Sequence, residues 1–241
     1  MLVQAVVLWF SALSPRHAPK VMTMKVNHGA LILLGLVLGC GYPPGISPPP
    51  DVRPQEPNVV SLAPKDWYIF YSAGVPPHPT PDIEGAWSFE FPSVGTGGHI
   101  NYLQTPFNAT TTLHNVSMTF KVESYTPQYE AIDPRDSLPA TVHLFIEQRN
   151  DDLKNVNGRW WARANGFNLG SQDNNLITFH VPLTIDQWSN VDGQGDYFDF
   201  VSMLNNIGWV GMTFGGQSFW GHGVALGGGC AKFILINLQI D

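Results

Sequence analysis

Several short segments of the chain alternate apolar and polar residues with a period of two. The pattern occurs in GAWSFEF, NVSMTFKVE, TVHLFIEQ, LITFHVP and WVGMTF, which are residues 85–91, 115–123, 141–148, 176–182 and 209–214. This period is typical of strands with one buried face. The last segment, AKFILINLQI (231–240), is apolar at both parities and therefore predicts a central strand.

Only one segment has helical spacing. Residues 197–206 place Phe200, Val201 and Leu204 on one side, and Gly208 ends the pattern. Seven to nine strands with one short helix predict an all-β fold, an antiparallel β-sandwich of jelly-roll type. We assign this domain to residues 83–241.

The chain before this domain predicts a leader. Residues 30–39 are apolar or small, too few for a bilayer span, and Lys20 and Lys25 precede them. The run ends in VLGC at Cys40, which resembles a lipobox, the bacterial motif that places a lipidated cysteine first in the mature chain. The resemblance implies a signal peptide over residues 1–39 and a diacylglyceryl group on the Cys40 thiol.

Three alternatives to this leader stay open. Cys40 can be incidental to a plain apolar leader. The apolar run in residues 2–13 can be a membrane segment of its own. Translation can also start at Met22 or Met24, which would leave a leader of ordinary length.

Residues 40–82 predict a tether. Residues 41–81 hold 12 of the chain's 20 prolines, and proline excludes helices and central strands. Such a segment is extended, at ~3.1 Å per residue. The aromatic residues between Asp66 and Ser72 are too apolar for a free linker, so we expect this stretch to dock on the domain as an edge strand.

Composition and charge exclude one class of partner. The chain of 241 residues has 44% hydrophobic and 13% charged residues and a formal charge of −7. Removal of the leader makes the charge more negative, because no Asp or Glu precedes Asp51. An acidic chain without a Lys/Arg cluster does not suit a nucleic-acid backbone.

The C-terminal third resembles a known class of domain. VPLTIDQWSNVDGQ, the helical segment with its glycine-rich continuation, the GHGV turn and the last strand are similar to carbohydrate-binding jelly-roll domains of the galactose-binding-like type. The resemblance covers about residues 176–241. It implies a β-sandwich that often binds glycans and sometimes holds a structural calcium ion.

Candidate ligand-binding residues lie in NVNGRWWARANGFN (155–168). Sugars stack their C–H faces on aromatic rings and pair their hydroxyls with polar side chains. Neighbours on a strand face opposite sides, so one of Trp160 and Trp161 should be buried and the other exposed. The alternative is that both are buried. The ligand-binding candidates are Trp160, Trp161, Arg163, Asn165 and, in the glycine-rich loop, Trp220.

The sequence does not predict an enzyme. It has no GxSxG elbow and no HExxH motif. Glu90 and Glu147 lie on strands with apolar neighbours, so we expect both to face outward rather than to form a catalytic pair. His222 in its GHG turn is expected to cap the turn, not to bind a metal.

The resemblance also implies a structural calcium ion, since carboxylates near the chain ends suit this cation. The candidates are Glu84 and Asp241. A second acidic cluster around Asp196 is expected instead to cap the helix that begins at Tyr197. No other cofactor is predicted.

The two cysteines are coupled in this interpretation. If Cys40 is lipidated, Cys230 has no partner in the chain and should be a buried free thiol. Without the lipid, a Cys40–Cys230 disulfide is possible.

The combined expectation is a lipid-anchored module of the bacterial cell envelope that binds a glycan or another cell-surface ligand. The alternative is a structural or adhesive subunit that assembles through protein contacts, for example by strand addition. The oligomeric state is not predicted.

Mass spectrometry of the protein extracted from its native membrane tests the leader. A chain that begins at Cys40 with the added mass of acyl groups is expected. Substitution Cys40→Ala should leave an unacylated chain, and an unmodified wild-type chain with residues 1–39 intact would rule the anchor out.

Overall fold

The computed structural model describes residues 58–109, 112–151, 155–163, 166–171, 175–218 and 220–241. All of them belong to one compact unit, which spans Val52–Asp241. The predicted leader, including Cys40, lies outside the described residues.

Two antiparallel sheets form the unit, which confirms the predicted β-sandwich. The strands of the six-stranded sheet are β1 (Asn58–Val59), β3 (Thr80–Pro81), β4 (Trp87–Glu90), β6 (Asn115–Ala131), β10 (Leu176–Pro182) and β13 (Val224–Ile240). Their order in the sheet is β10-β6-β13-β4-β3, with β1 also paired to β13.

The strands of the seven-stranded sheet are β2 (Tyr68–Phe70), β5 (Tyr102–Pro106), β7 (Thr141–Gln148), β8 (Arg159–Ala162), β9 (Phe167–Asn168), β11 (Trp188–Ser189) and β12 (Ile207–Gly215). Their order in the sheet is β11-β8-β7-β12-β5-β2, with β9 also paired to β7. The helix α1 spans Tyr197–Leu204. Short 3₁₀ turns occur at Pro64–Asp66, Ile83–Gly85, Val94–Thr96, Leu169–Ser171 and Ile185–Gln187.

The strands with the clearest alternation have the predicted bounds. Strands β7 and β10 match residues 141–148 and 176–182 at both ends. Strands β6 and β13 are each 17 residues long, because they pair with each other well beyond the alternating segments. The described strands outnumber the seven to nine expected, since several two-residue strands have no periodicity to detect.

Strand β13 is central, as its apolar residues on both faces predict. It pairs with β6 along one side and with β4 and β1 along the other. The backbone of its C-terminal half is therefore hydrogen-bonded on both sides.

A cluster of aromatic rings joins the two sheets. Phe233 on β13 stacks on Phe120 and Phe89, with ring centroids 5.0 and 5.5 Å away. Phe214 on β12 meets Phe233 edge-on at 5.5 Å. Because β12 belongs to the opposite sheet, this contact packs the sheets face to face. All four rings are buried.

Sheet pairing begins before residue 83. The predicted docking of residues 66–72 is confirmed, because β2 is the edge strand beside β5. Trp67, just before β2, is fully buried; its indole N–H donates to the Ser61 carbonyl at 2.7 Å, and its ring lies 4.7 Å from that of Trp87. This part of the proline-rich segment is therefore held on the sandwich by a core tryptophan.

The expectation of a buried Cys230 is wrong. Cys230 is an exposed free thiol that lies opposite the exposed Tyr125 on β6. The register between β6 and β13 shifts between Gly228 and Cys230, so the alternation changes phase there. Ala231 takes the buried position and Cys230 faces out.

Within the described part of the chain, no helix is long and apolar enough to cross a membrane.

Substitution Phe233→Ala should lower the free energy of unfolding by about 3–5 kcal/mol, because it removes the ring shared by both sheets. Denaturant titration followed by tryptophan fluorescence measures the change. Ile236→Ala, on the same strand but 38% exposed, is the matched control and should cost under about 1.5 kcal/mol. Equal losses for the two variants would contradict this role of Phe233.

Candidate functional site

The outer face of the seven-stranded sheet is covered rather than open to solvent. On β7, Val142, Leu144 and Ile146 point into the core, so residues 141, 143, 145 and 147 point away from it. These outward residues are nevertheless buried, with His143 3% and Glu147 7% exposed. Other side chains and a loop must therefore lie over this face.

Two tryptophans provide much of this cover. The ring of Trp220 stacks on that of His143, with centroids 4.4 Å apart and planes 19° apart. Trp161 on β8 lies against Phe145 and donates from its indole N–H to Thr213 Oγ1 at 3.1 Å. Both indoles are thus held in place by neighbours on the sheet.

The loop that carries Trp220 is braced by acidic side chains. Asp136 accepts hydrogen bonds from the backbone N–H groups of Gly216, at 2.7 Å, and Ser218, at 3.0 Å. Asp133 Oδ2 lies 2.9 Å from His222 Nδ1 and also pairs with Arg135. The hydrogen bonds from Arg135, and after them the one from His222, hold the pKa of Asp133 well below its usual range. His222 is oriented by this carboxylate, where the sequence predicted a turn cap.

Beneath this loop a cleft runs across the strands in three sections. Tyr102 on β5 and Arg159 on β8 line all three. Gly221 permits the close approach of Tyr102, because a Cβ atom there would lie 2.4 Å from the phenol oxygen. Tyr102 also meets Phe145 and Tyr71 edge-on.

The cleft has a wide, a middle and a narrow section. The wide section, about 330 Å³, is lined by residues that include Trp161, Trp220, Asn190 and Asp192. The middle section, about 320 Å³, shares His222 with the wide section and adds Tyr71 and Asn101. The narrow section, about 170 Å³, is lined by residues that include Phe70, Phe145, Glu147, Asp151 and Trp209.

The turn that bounds the wide section is held by amide side chains. Asn190 accepts from the backbone N–H groups of Asp192 and Gln194, at 3.1 and 3.0 Å, and donates to Asn157 Oδ1 at 2.6 Å. Arg163 donates to the Gly193 carbonyl at 3.2 Å and supports this turn from outside.

Burial shifts the pKa of three groups on this face. Desolvation raises the pKa of Glu147 to about 7, with a further contribution from the nearby charge of Asp151. Desolvation lowers the pKa of His143 to about 4 and raises that of Tyr102 to about 12. At neutral pH His143 is therefore uncharged, and its Nδ1–H donates to the Ala162 carbonyl at 3.0 Å.

The structure brings two of the sequence candidates together. Trp161 and Trp220 both line the wide section. Trp160 instead lies in the core against Phe200, so both adjacent tryptophans are buried, which is the alternative that the sequence analysis left open. Arg163 lies outside the cleft lining, and Asn165 lies outside the described residues.

Sequence reasoning missed Tyr102, Asn190 and Trp209 and did not give Glu147 a role. Glu147 does face away from the core, as predicted, but it is covered, whereas Glu90 is exposed. Phe145 on the outward parity of β7 was a usable signal, since a large aromatic side chain among polar neighbours is unusual on a solvated face.

The calcium site at Glu84 and Asp241 stays a prediction. Among the described residues, no group of three or more His, Cys, Asp or Glu side chains is arranged to hold a metal ion. Asp241 follows β13, where its backbone pairs with Asn115, and nothing is described of the Glu84 side chain. Asp196 is the N-cap of α1, as predicted, and accepts from the Asp199 N–H at 2.8 Å.

No family model matches the chain, and no curated protein matches it in sequence. Among solved structures, the chain is similar to one described as "Solution structure, dynamics and binding studies of CtCBM11", a carbohydrate-binding module. The TM-score is 0.32 and the identity 13%, over 73% of this chain and 87% of that chain. A likeness of this size assigns no ligand to the cleft.

The raised pKa of Glu147 predicts a pH-dependent contribution to stability. Between about pH 4.5 and about 7 the folded state holds a proton that the unfolded state releases, so this contribution falls as pH rises. Substitution Glu147→Gln removes it. The free energy of unfolding of the variant, relative to wild type, should therefore rise by on the order of 3 kcal/mol from pH 4 to pH 8.

Denaturant titration of both proteins across this pH range measures the difference. His143, with its lowered pKa, acts in the opposite direction below pH 6.5, so the difference between the two proteins isolates Glu147 better than the wild-type profile. The matched control is Glu90→Gln, on an exposed strand position. A constant difference between Glu147→Gln and wild type would contradict the prediction.

Proposed function

We propose that this protein is an exported, lipid-anchored β-sandwich module that binds an extracellular glycan in the cleft across its seven-stranded sheet. The observation that carries the proposal is the lining of the cleft, in which aromatic rings alternate with polar side chains. Export and the anchor rest on residues 30–40 of the sequence.

The lining suits the two kinds of surface that a sugar presents. Trp161, Trp220 and Tyr102 supply apolar ring surface, and the hydroxyl and indole N–H groups of such rings keep a polar edge. Arg159 lies in the same wide section and supplies guanidinium N–H groups for sugar hydroxyls, while Asn190 holds the turn that bounds the section.

The cleft is built in advance of binding. Trp220 is fixed by its stack on His143, and the Asn190 turn by its amide network. Ordering these side chains at the moment of binding would weaken the affinity, and a preformed site avoids that loss. The volume of the wide section also falls in the range of small-molecule sites.

The alternative of assembly by strand addition loses its main argument. An apolar last strand suits strand addition only where its backbone is free, but β13 is covered by β6 on one side and by β4 and β1 on the other. A strand that is paired on both sides offers no free row of backbone groups to an added strand. We accordingly propose a binding module rather than an adhesive subunit or an enzyme.

Affinity electrophoresis against dissolved polysaccharides tests the proposal. Retardation by at least one of hydroxyethyl cellulose, arabinoxylan, galactomannan and methyl-esterified pectin is expected. Trp220→Ala should weaken the retarding interaction about fivefold, because the loss of one aromatic contact costs about 1 kcal/mol. Trp220→Phe, which keeps a ring over His143, should recover part of the affinity.

The control is Tyr125→Ala, which removes a 74% exposed ring from the six-stranded sheet. It should migrate like wild type. A failure of every polysaccharide to retard wild type, or an equal loss for Trp220→Ala and Tyr125→Ala, would contradict glycan binding in this cleft.

A further inference from the structure

The narrow section of the cleft holds two carboxyl groups and one cation among the described residues. Glu147 on β7 and Asp151 just after it both line the section, and Arg159 on β8 lies opposite Glu147 in the register. The other described lining residues are aromatic, apart from Gln104. The charge count of this section is therefore unbalanced if both carboxyl groups are ionised.

Arg159 forms an ion pair with Asp151. Its Nε lies 3.0 Å from Asp151 Oδ2, and the side chains are 14% and 0% exposed. A fully buried carboxylate requires such a partner, because an unpaired buried charge is costly. This ion pair leaves Glu147 without the full counter-charge that an ionised carboxylate needs.

Apart from Arg159 on β8, the described strands packed against Glu147 present only uncharged groups to it. Strand β12 presents Trp209, β5 presents Gln104 and the phenol of Tyr102, and the β2 edge presents Phe70 and the phenol of Tyr71. These groups carry no positive charge. Glu147 is also only 7% exposed, so water compensates little of its charge.

We propose that Glu147 meets the ligand as a neutral carboxylic acid, so that the narrow section carries no net charge and selects uncharged glycan units over units that bear a carboxylate. The inference rests on the proposed glycan-binding function. A neutral carboxyl group can donate its O–H to a sugar oxygen and accept from a sugar hydroxyl, whereas the ionised form only accepts.

Selection against anionic units follows from the same balance. A ligand carboxylate placed in the narrow section would be desolvated beside Asp151 and would have to compete with it for Arg159. An uncharged unit carries no such cost. This selection distinguishes the section from an Arg-based site for acidic sugars, although both contain an arginine.

The inference also gives binding a direction with pH. A bound glycan excludes the remaining water around Glu147, and this further disfavours the carboxylate. By linkage, the glycan binds more tightly to the protonated form. Affinity should fall as pH rises through about 7, the pKa of Glu147 in the free protein, and by up to about tenfold per pH unit above it.

The experiment compares matched pairs of polysaccharides with the full mature chain between pH 5.5 and 8.5. The pairs are hydroxyethyl and carboxymethyl cellulose, arabinoxylan and glucuronoxylan, and methyl-esterified and de-esterified pectin. We expect the uncharged member of the binding pair to be retained at least tenfold more strongly at pH 6, and its retention to weaken above pH 7. Glu147→Gln, which cannot ionise, should lose this pH dependence, while Glu90→Gln should keep it.

A second measurement does not depend on any variant. The carboxyl carbon of Glu147, followed by NMR in glutamate-labelled wild type, should titrate near pH 7 and move to higher pH with the bound polysaccharide. A midpoint near that of an ordinary glutamate would overturn the inference.

The outcomes separate the two proposals. Equal binding of both members of a pair, or affinity that does not change with pH, overturns the role of Glu147 and leaves glycan binding standing. Failure of every polysaccharide to bind at any pH overturns the proposed function and this inference with it.

Discussion

The edge-on contact of Phe214 with Phe233 is the interaction on which the rest of the structure depends. It joins the two sheets at their centre, because the rings belong to β12 and β13. Phe233 is in turn held between Phe89 and Phe120. With the inner faces packed in this way, the core takes one parity of each central strand. The other parity of the seven-stranded sheet becomes available for a site.

That second parity is used for a cleft rather than for a solvated surface. Strand β7 is buried on both faces, yet its outward side contains His143 and Glu147, which an apolar core would not accept without partners. The His143 ring supports Trp220. Glu147 lies instead among aromatic rings beside the Arg159–Asp151 pair. The rigid strand thus places a platform and a polar group at a set distance along the cleft.

Acidic and amide side chains hold the loops that cover this face. Asp133 and Asp136 hold the glycine-rich loop, and Asn190 holds the turn at the other wall. Charge-assisted and backbone hydrogen bonds of this kind fix geometry without adding bulk. The cleft therefore stays open between walls that are themselves well positioned.

The sequence alone determined the sandwich, its central last strand, the bounds of β7 and the direction of Glu147, because strand periodicity is a local property. It did not determine what covers each face. Trp160 and Trp161 point to opposite faces as predicted. Only the fold shows that Trp161 is nevertheless buried and lines the cleft. Cys230 faces outward, and the apolar residues at both parities of β13 left its side undetermined. Tyr102 and Asn190 joined the site through pairings distant in sequence, and such neighbours arise only when the strands of the seven-stranded sheet have paired.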